Sequence, residues 1–315
     1  MEASKKRLDK FPKRLKRFRQ SVLAAACSGK LTEDWREGNI NVQDVYIDLL
    51  EFENKRITEF KSKNNYKTFK FEDSIFSSEE LPTTWKIAKI GYLCDCIVPG
   101  RDKPKTFSGT IPWITLPDIK SDFIDGISCT NNLSNKEIAE VNARIIPSNS
   151  VIISCIGRFG ISFINTREIV INQQLHAYLQ SSIILSKYLM YYMKTMTEYM
   201  QEVSTATTVA YLNKDNCNSI PINLPPLKEQ QEIVRRVEAL FAIADQLEAR
   251  YKKAQAYVEK LTQSILAKAF RGELVPQDPN DESASVLLER INAEKENNIT
   301  VQKKTQRIKR RAHKR

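Results

Sequence analysis

The chain has 315 residues, enough for one or two domains with a real core, and its 49 Lys and Arg exceed its 38 Asp and Glu to leave a net charge of +11. No run of about 18 apolar residues is present, which excludes a membrane-spanning helix, and the basic start does not resemble a signal peptide. Six cysteines (Cys27, Cys94, Cys96, Cys129, Cys155 and Cys217) form no metal spacing, so buried reduced thiols of a cytoplasmic protein are expected.

The charge is uneven. Residues 1–19 carry nine Lys or Arg against two acids, and residues 302–315 carry eight against none, so the rest of the chain is about −4. Basic ends suit a polyanion such as nucleic acid; solvated tails that aid solubility are the plainer alternative.

In chain order, residues 1–10 are expected to be loose, and a helix is predicted over Phe11–Cys27. A polar connection over 32–39, an amphipathic helix over 42–60 and a charged linker over 61–80 follow. From residue 85 to 180 the texture changes. Short runs rich in β-formers alternate with Pro and Gly turns, which predicts a strand-dominated domain interrupted by short helices near 134–141 and 186–202. Ser204, Thr205, Thr207 and Thr208 have no helical period and read as an exposed hydroxyl-rich loop. A short strand over 220–224 leads to Pro225 and Pro226. The 44 residues of Leu227–Phe270 then pass without Pro or Gly, and Gly272 stands just beyond. As a helix they would extend roughly 66 Å at about 1.5 Å per residue, too long for the inside of one compact domain. A short helix over 283–294 and a disordered basic tail are expected after it.

The long helix carries a narrow seam. Ile233, Val237, Leu240, Ala244, Leu247, Tyr251, Ala254, Val258, Leu261 and Ile265 alternate spacings of four and three between charged neighbours, as a helix does when its partner is another helix. A helix lying across its own domain is the alternative. An internal repeat suggests where a partner lies. Residues 20–31 (QSVLAAACSGKL) and 263–274 (QSILAKAFRGEL) are identical at seven of twelve positions, and Leu15, Phe18 and Val22 align with Val258, Leu261 and Ile265. Both copies place a Gly, Gly29 or Gly272, where a helix closes with a left-handed residue.

Catalytic signatures are lacking. No phosphate-binding Walker loop, paired-His metal helix or Gly-x-Ser-x-Gly elbow occurs. Asn223-Leu224-Pro225-Pro226 does not fit the Asn/Asp-Pro-Pro-aromatic motif that holds a flipped adenine, and Pro117-Asp118 reads as a turn. No carboxylate pair stands out for acid–base work. A binding or scaffolding protein is expected, not an enzyme.

Taken together, LPPLKEQQEIVRRVEALFAIADQLEARY, LTQSILAKAFRGELVPQDPNDESASVLLERI, QSVLAAACSGKLTEDWRE, LPTTWKIAKIGYLCD, IPWITLPDI and the Asn172–Gln173 pair resemble the specificity (S) subunit of type I restriction–modification systems. The match runs from about residue 18 to 291. The resemblance implies an α+β chain: a strand-rich target-recognition domain on long antiparallel coiled-coil spacer helices. Residues 1–40 would be the end of a proximal spacer helix and its connection, 41–80 a helix and linker, and 81–225 the DNA target-recognition domain. Residues 226–275 would be the distal spacer helix for dimerisation and docking of methylation (M) subunits, and 276–315 a short helix and basic tail. It also implies that S-adenosylmethionine, ATP and Mg act on partner methylation and restriction (R) subunits, with no cofactor or metal in this chain. With one recognition domain where the family carries two, the chain looks like the second half of an S subunit. Two copies could then form a homodimer that reads a palindromic bipartite site on double-stranded DNA. The competing reading is a coiled-coil interaction protein whose globular domain binds a protein.

A DNA reader needs donors for phosphates and base edges. The candidates are Arg101, Lys103 and Lys105 in a turn-rich basic segment, Lys120 after the IPWITL run, Arg158 in a tight turn, and Ser204, Thr205, Thr207 and Tyr211 in the hydroxyl-rich loop. Asn172, Gln173 and Gln174 stay open between base contact and a buried amide that ties strands together.

Overall fold

A computed structural model describes residues 10–60, 74–100, 102–205, 210–276, 278 and 280–312. Its helices are α1 (Phe11–Cys27), α2 (Glu33–Gly38), α3 (Val45–Phe60), α4 (Ile90–Leu93), α5 (Asn135–Glu140), α6 (Ser186–Thr195), α7 (Thr197–Glu202), α8 (Lys214–Asn218), α9 (Leu227–Phe270) and α10 (Ala284–Ala312). Its strands are β1 (Ile75–Phe76), β2 (Lys86–Lys89), β3 (Cys96–Ile97), β4 (Ile111–Ile114), β5 (Phe123–Ile124), β6 (Asn132–Leu133), β7 (Val151–Ser154), β8 (Ser162–Asn165), β9 (Val170–Ile171), β10 (Leu175–Tyr178) and β11 (Pro221–Leu224). Contacts divide the chain into two bodies with the boundary between Ala249 and Arg250, inside α9.

The first body holds three sheets. A central sheet has the order β3-β10-β7-β8-β5, flanked by β6-β4-β9 and by β1-β2-β11. Pairing is antiparallel except for β4 with β9 and β5 with β8. Strands β7, β8 and β10 are buried along their whole length, and the polar residues they carry, Ser154, Ser162, Asn165 and His176, are buried with them. Helix α6 covers this sheet with Tyr188, Leu189, Met190, Tyr192 and Met193 buried, so its Met and Tyr stripe is core.

The helix ends follow local chemistry. Helix α1 has Pro in its first turn and closes before Gly29, whose φ of +80° only Gly adopts without strain. Ser134 and Glu137 form a reciprocal capping box on α5. The Pro226 carbonyl accepts the N–H groups of Glu229 and Gln230 at the start of α9.

Several expectations change. Residues 33–38 of the polar connection form α2, and α3 begins at Val45, not at residue 42. The linker supplies edge strand β1; its residues 61–73 lie outside the described residues, as do residues 1–9. The helix expected over 186–202 breaks at Met196, where the Thr195 hydroxyl donates to the Tyr192 carbonyl at 2.7 Å and competes with the backbone for it. Helix α10 runs on to Ala312 through the tail expected to be disordered, a stretch of Glu, Lys, Gln and Arg with no Gly or Pro to stop it.

The seam of α9 also divides. Ile233 and Val237 are buried in one core cluster with the α1 residues Val22, Leu23, Ala26 and Cys27 and the domain, Ala244 is buried, and Leu240 is partly buried. Leu247 and Leu261 are exposed, and Tyr251, Val258 and Ile265 are half-buried among exposed neighbours. Helix α1 runs antiparallel to the start of α9. Arg19 donates to Asp245 at 2.7 Å and to Glu248 at 3.2 Å, whereas further along Arg236 donates to the Leu31 carbonyl and to Asp34. On α1, Leu15 and Val22 are buried and Phe18 is exposed.

One joint fixes the domain to α9. The buried Glu229 carboxylate accepts from the Trp85 indole at 2.8 Å, the Thr32 hydroxyl at 2.7 Å and Arg36 at 2.5 Å. Beside it, Gln230 donates to the carbonyls of Ile183 and Pro225 and accepts from the Leu185 N–H. Asn223 donates to the Cys27 carbonyl at 2.9 Å, which ties the end of α1 to β11 and gives the Asn-Leu-Pro-Pro stretch a structural role.

Candidate nucleic-acid interface

Segments far apart in sequence meet on one face of the first body. Cys155 donates its N–H to the Gln174 carbonyl, Gly157 donates to Ala210, and Leu212 donates back to Cys155, all within 2.9 Å. These bonds draw the 155–158 turn between the 172–174 turn and the loop before α8. Ile156 bridges Tyr211, and Thr205 donates both its N–H and its hydroxyl to the Tyr211 carbonyl at 3.0 Å. Gln173 reaches across to donate to the Asp102 carbonyl at 3.3 Å. A cleft of about 500 Å³ opens between these loops, lined by Lys103, Trp113, Ile156, Asn172, Gln173 and Gln174.

The 102–109 segment is anchored at its far end. Glu137 accepts from the N–H groups of Ser134 at 2.8 Å and Ser108 at 3.1 Å. The Ser134 N–H, with the Thr106 hydroxyl and Ser108 behind it, holds this carboxyl down at about 2. Phe107 packs on Trp113 with ring centroids 5.2 Å apart. Lys105 is exposed on the same segment, between Lys103 and Phe107.

Beneath the face, His176 is fully buried, with Nδ1 at 3.1 Å from Cys217 Sγ and its ring edge-on to Tyr211. Burial, with Lys214 nearby, lowers its pKa to about 4, so the imidazole is neutral. All six cysteines are free and buried, and burial pushes Cys27, Cys96 and Cys155 up to about 12. Among the described residues no cluster of His, Cys, Asp or Glu is arranged to hold a metal.

Of the residues singled out from sequence, Lys103, Arg158, Thr205 and Tyr211 belong to these converging loops, with Ser204 beside Thr205. Arg158 is exposed, its carbonyl accepting from the Ser154 hydroxyl. Arg101 and Thr207 lie outside the described residues. Lys120 is elsewhere: it lines a second cleft of about 480 Å³ with Lys16, Arg19, Lys194 and Phe241. There Lys194 is paired with Asp122 at 2.5 Å and Arg19 with Asp245. Sequence reasoning missed Trp113 and Phe107, and the mixed polar–aromatic IPWITL run was the only hint of the former.

A sequence model described as the type I restriction modification DNA specificity domain matches residues 82–256, more than half of the chain. The chain belongs to the type I restriction–modification specificity family. The EcoDI specificity subunit of Escherichia coli is 31% identical over 306 residues, covering 94% of this chain and 64% of that protein. The EcoBI specificity subunit of Escherichia coli is 32% identical over 321 residues, covering 94% of this chain and 60% of that one. The chain therefore spans less than two thirds of the length of these relatives. A solved structure, described as the structural basis of complex assembly and conformational transition of the type I R-M system, superposes with a TM-score of 0.52 at 21% identity. It covers 81% of this chain and 60% of that chain, and shows a shared fold. No described helix of this family member is long and apolar enough to cross a membrane.

Proposed function

We propose that this chain reads one half of a bipartite sequence in double-stranded DNA for a type I restriction–modification complex. The observation that carries the reading is the convergence of the 102–105, 155–158 and 172–174 segments on one cleft that Lys103 lines, with Arg158 in the 155–158 turn and Thr205 and Tyr211 in the segments bonded to that turn. Cations and hydroxyls there suit phosphates, and aromatic and amide groups suit base edges. Residues 81–225 act as the recognition domain, and α9 acts as the spacer on which methylation subunits dock. Those subunits supply S-adenosylmethionine chemistry, and restriction subunits supply ATP- and Mg-dependent cleavage. The work takes place in the cytoplasm.

The chain acts as a homodimer through the uncovered half of the α9 seam. The internal repeat supports this. In the first copy Leu23 is 7% exposed and Cys27 8%, whereas their counterparts in the second, Leu266 and Phe270, are 52% and 89% exposed. A motif that is buried where it has a partner is bare where it has none, and a second chain would cover it.

The test is solution mass by light scattering, with and without methylation subunits, followed by selection of bound duplexes from a randomised pool. A mass near twice 36.3 kDa and a palindromic bipartite site are expected. A monomer in both states overturns the dimer, and a pool without enrichment overturns DNA recognition.

A further inference from the structure

The cleft at Lys103, Trp113 and the 172–174 turn offers a DNA base mainly hydrogen-bond donors. The Gln174 backbone N–H donates to Asn172 Oδ1 at 3.1 Å, and a backbone N–H can only donate, so that contact fixes which way the Asn172 amide points. Asn172 Nδ2 is then a donor, and it donates to Gln174 Oε1 at 3.0 Å. This fixes the second amide in turn, and the Gln174 NH2 group is what that side chain has left to offer. The turn's backbone carbonyls accept bonds from inside the protein. The Asn172 carbonyl accepts from Leu175 N–H, the Gln174 carbonyl from Cys155 N–H, and the Gln173 carbonyl from Cys155 Sγ. Gln173 itself is engaged with the 102–105 segment. Lys103 adds an ammonium group, which has donors only, and it pairs with no carboxylate among the described residues.

We infer that Gln174 and Lys103 together read guanine through its major-groove edge. Guanine presents two acceptors there, O6 and N7. Adenine presents one acceptor and one donor, and its donor would face Gln174 NH2 or Lys103. Asn172 is therefore a positioning residue: it turns Gln174 from an ambivalent amide, which alone would suit adenine, into a donor. The inference rests on the DNA-reading function proposed above, and it assigns the base and the residues that choose it.

The experiment uses the chain with its methylation subunit and the duplex selected by the wild type, with each base pair of the half-site replaced in turn. One guanine should be demanded. Its replacement by adenine, or by 7-deazaguanine, which lacks the N7 acceptor, should weaken binding about 10- to 100-fold. Gln174→Glu, which turns the donor into an acceptor at equal size, should abolish the preference at that position and leave the others intact. Lys103→Gln, on an exposed loop, should weaken the same position's preference and guards against a fold defect in the first variant. A uniform loss at every sequence with unchanged preferences would assign these groups to a phosphate and overturn the guanine reading. So would Gln174→Glu and Lys103→Gln proteins that both keep wild-type preferences. Failure of the wild type to enrich any sequence sinks the function itself, and that result is distinct from both.

Discussion

At the scale of single residues, the face is supported by groups that never reach it. His176 packs edge-on to Tyr211, its Nδ1 meets Cys217, and its Nε2 is buried without a partner among the described residues. Its folded pKa near 4 lies below the ordinary histidine value of about 6.5, chiefly through burial. As pH falls, the unfolded chain takes this proton first. The stabilisation is complete above about pH 6.5 and declines as pH drops towards 4, by on the order of 3 kcal/mol. Denaturant midpoints between pH 7 and 4 should show this slope, and His176→Leu should flatten it; equal slopes in the two proteins would refute the assignment. The sequence exposed part of this scale. Lys103, Arg158, Thr205 and Tyr211 stood out because loops rich in cations and hydroxyls are visible in a chain. Asn172, Gln173 and Gln174 stayed open, since an amide that holds a turn and one that reads a base look alike in a sequence.

At the scale of elements, α9 is one helix in two environments. Ile233 lies in the core with α1 and the domain, whereas Ile265, further along the same seam, sits among exposed neighbours. Ile233→Ala should therefore cost about 2–5 kcal/mol in urea unfolding. Ile265→Ala should cost less than about 1 kcal/mol at concentrations too low for association. Equal costs would mean that the two halves are covered alike. The joint at Glu229 gives a second test. Glu229→Ala strands the buried Trp85 indole N–H and Thr32 hydroxyl without their acceptor, and should cost about 2–5 kcal/mol in the same assay. A change below about 0.5 kcal/mol would show that the joint does not hold the domain. Both ends of α9 were legible because Pro225, Pro226 and Gly272 act locally. The division of its seam was not, because heptad spacing is the same whether the partner is a second chain or the chain's own core. The Trp85–Glu229 pair is separated by 144 residues and leaves no local signal.

At the scale of the whole molecule, the class and the outline were readable, since an α+β chain with a strand-rich insertion between repeated helices shows in texture and repeat alone. The sheet order was not, because β3, β10 and β7 are joined by pairings between distant segments. Another long-range pairing has an evolutionary consequence. Strands β2 and β11, the way into the domain and the way out, lie side by side, Lys86 opposite Leu224 and Lys89 opposite Pro221. Everything between them is a cassette on a single hinge-post. Much of what a replacement cassette must offer the helices is backbone, such as the Ile183 carbonyl and Leu185 N–H for Gln230, with Trp85 and Asn223 as the side chains to keep. Two crossovers in the gene, one at each end of this strand pair, would exchange the whole insertion and leave α1, α9 and the joint at Glu229 in place. On the function proposed above, the fold favours acquiring a new target by recombination in one event over reaching it by successive point changes in a loop.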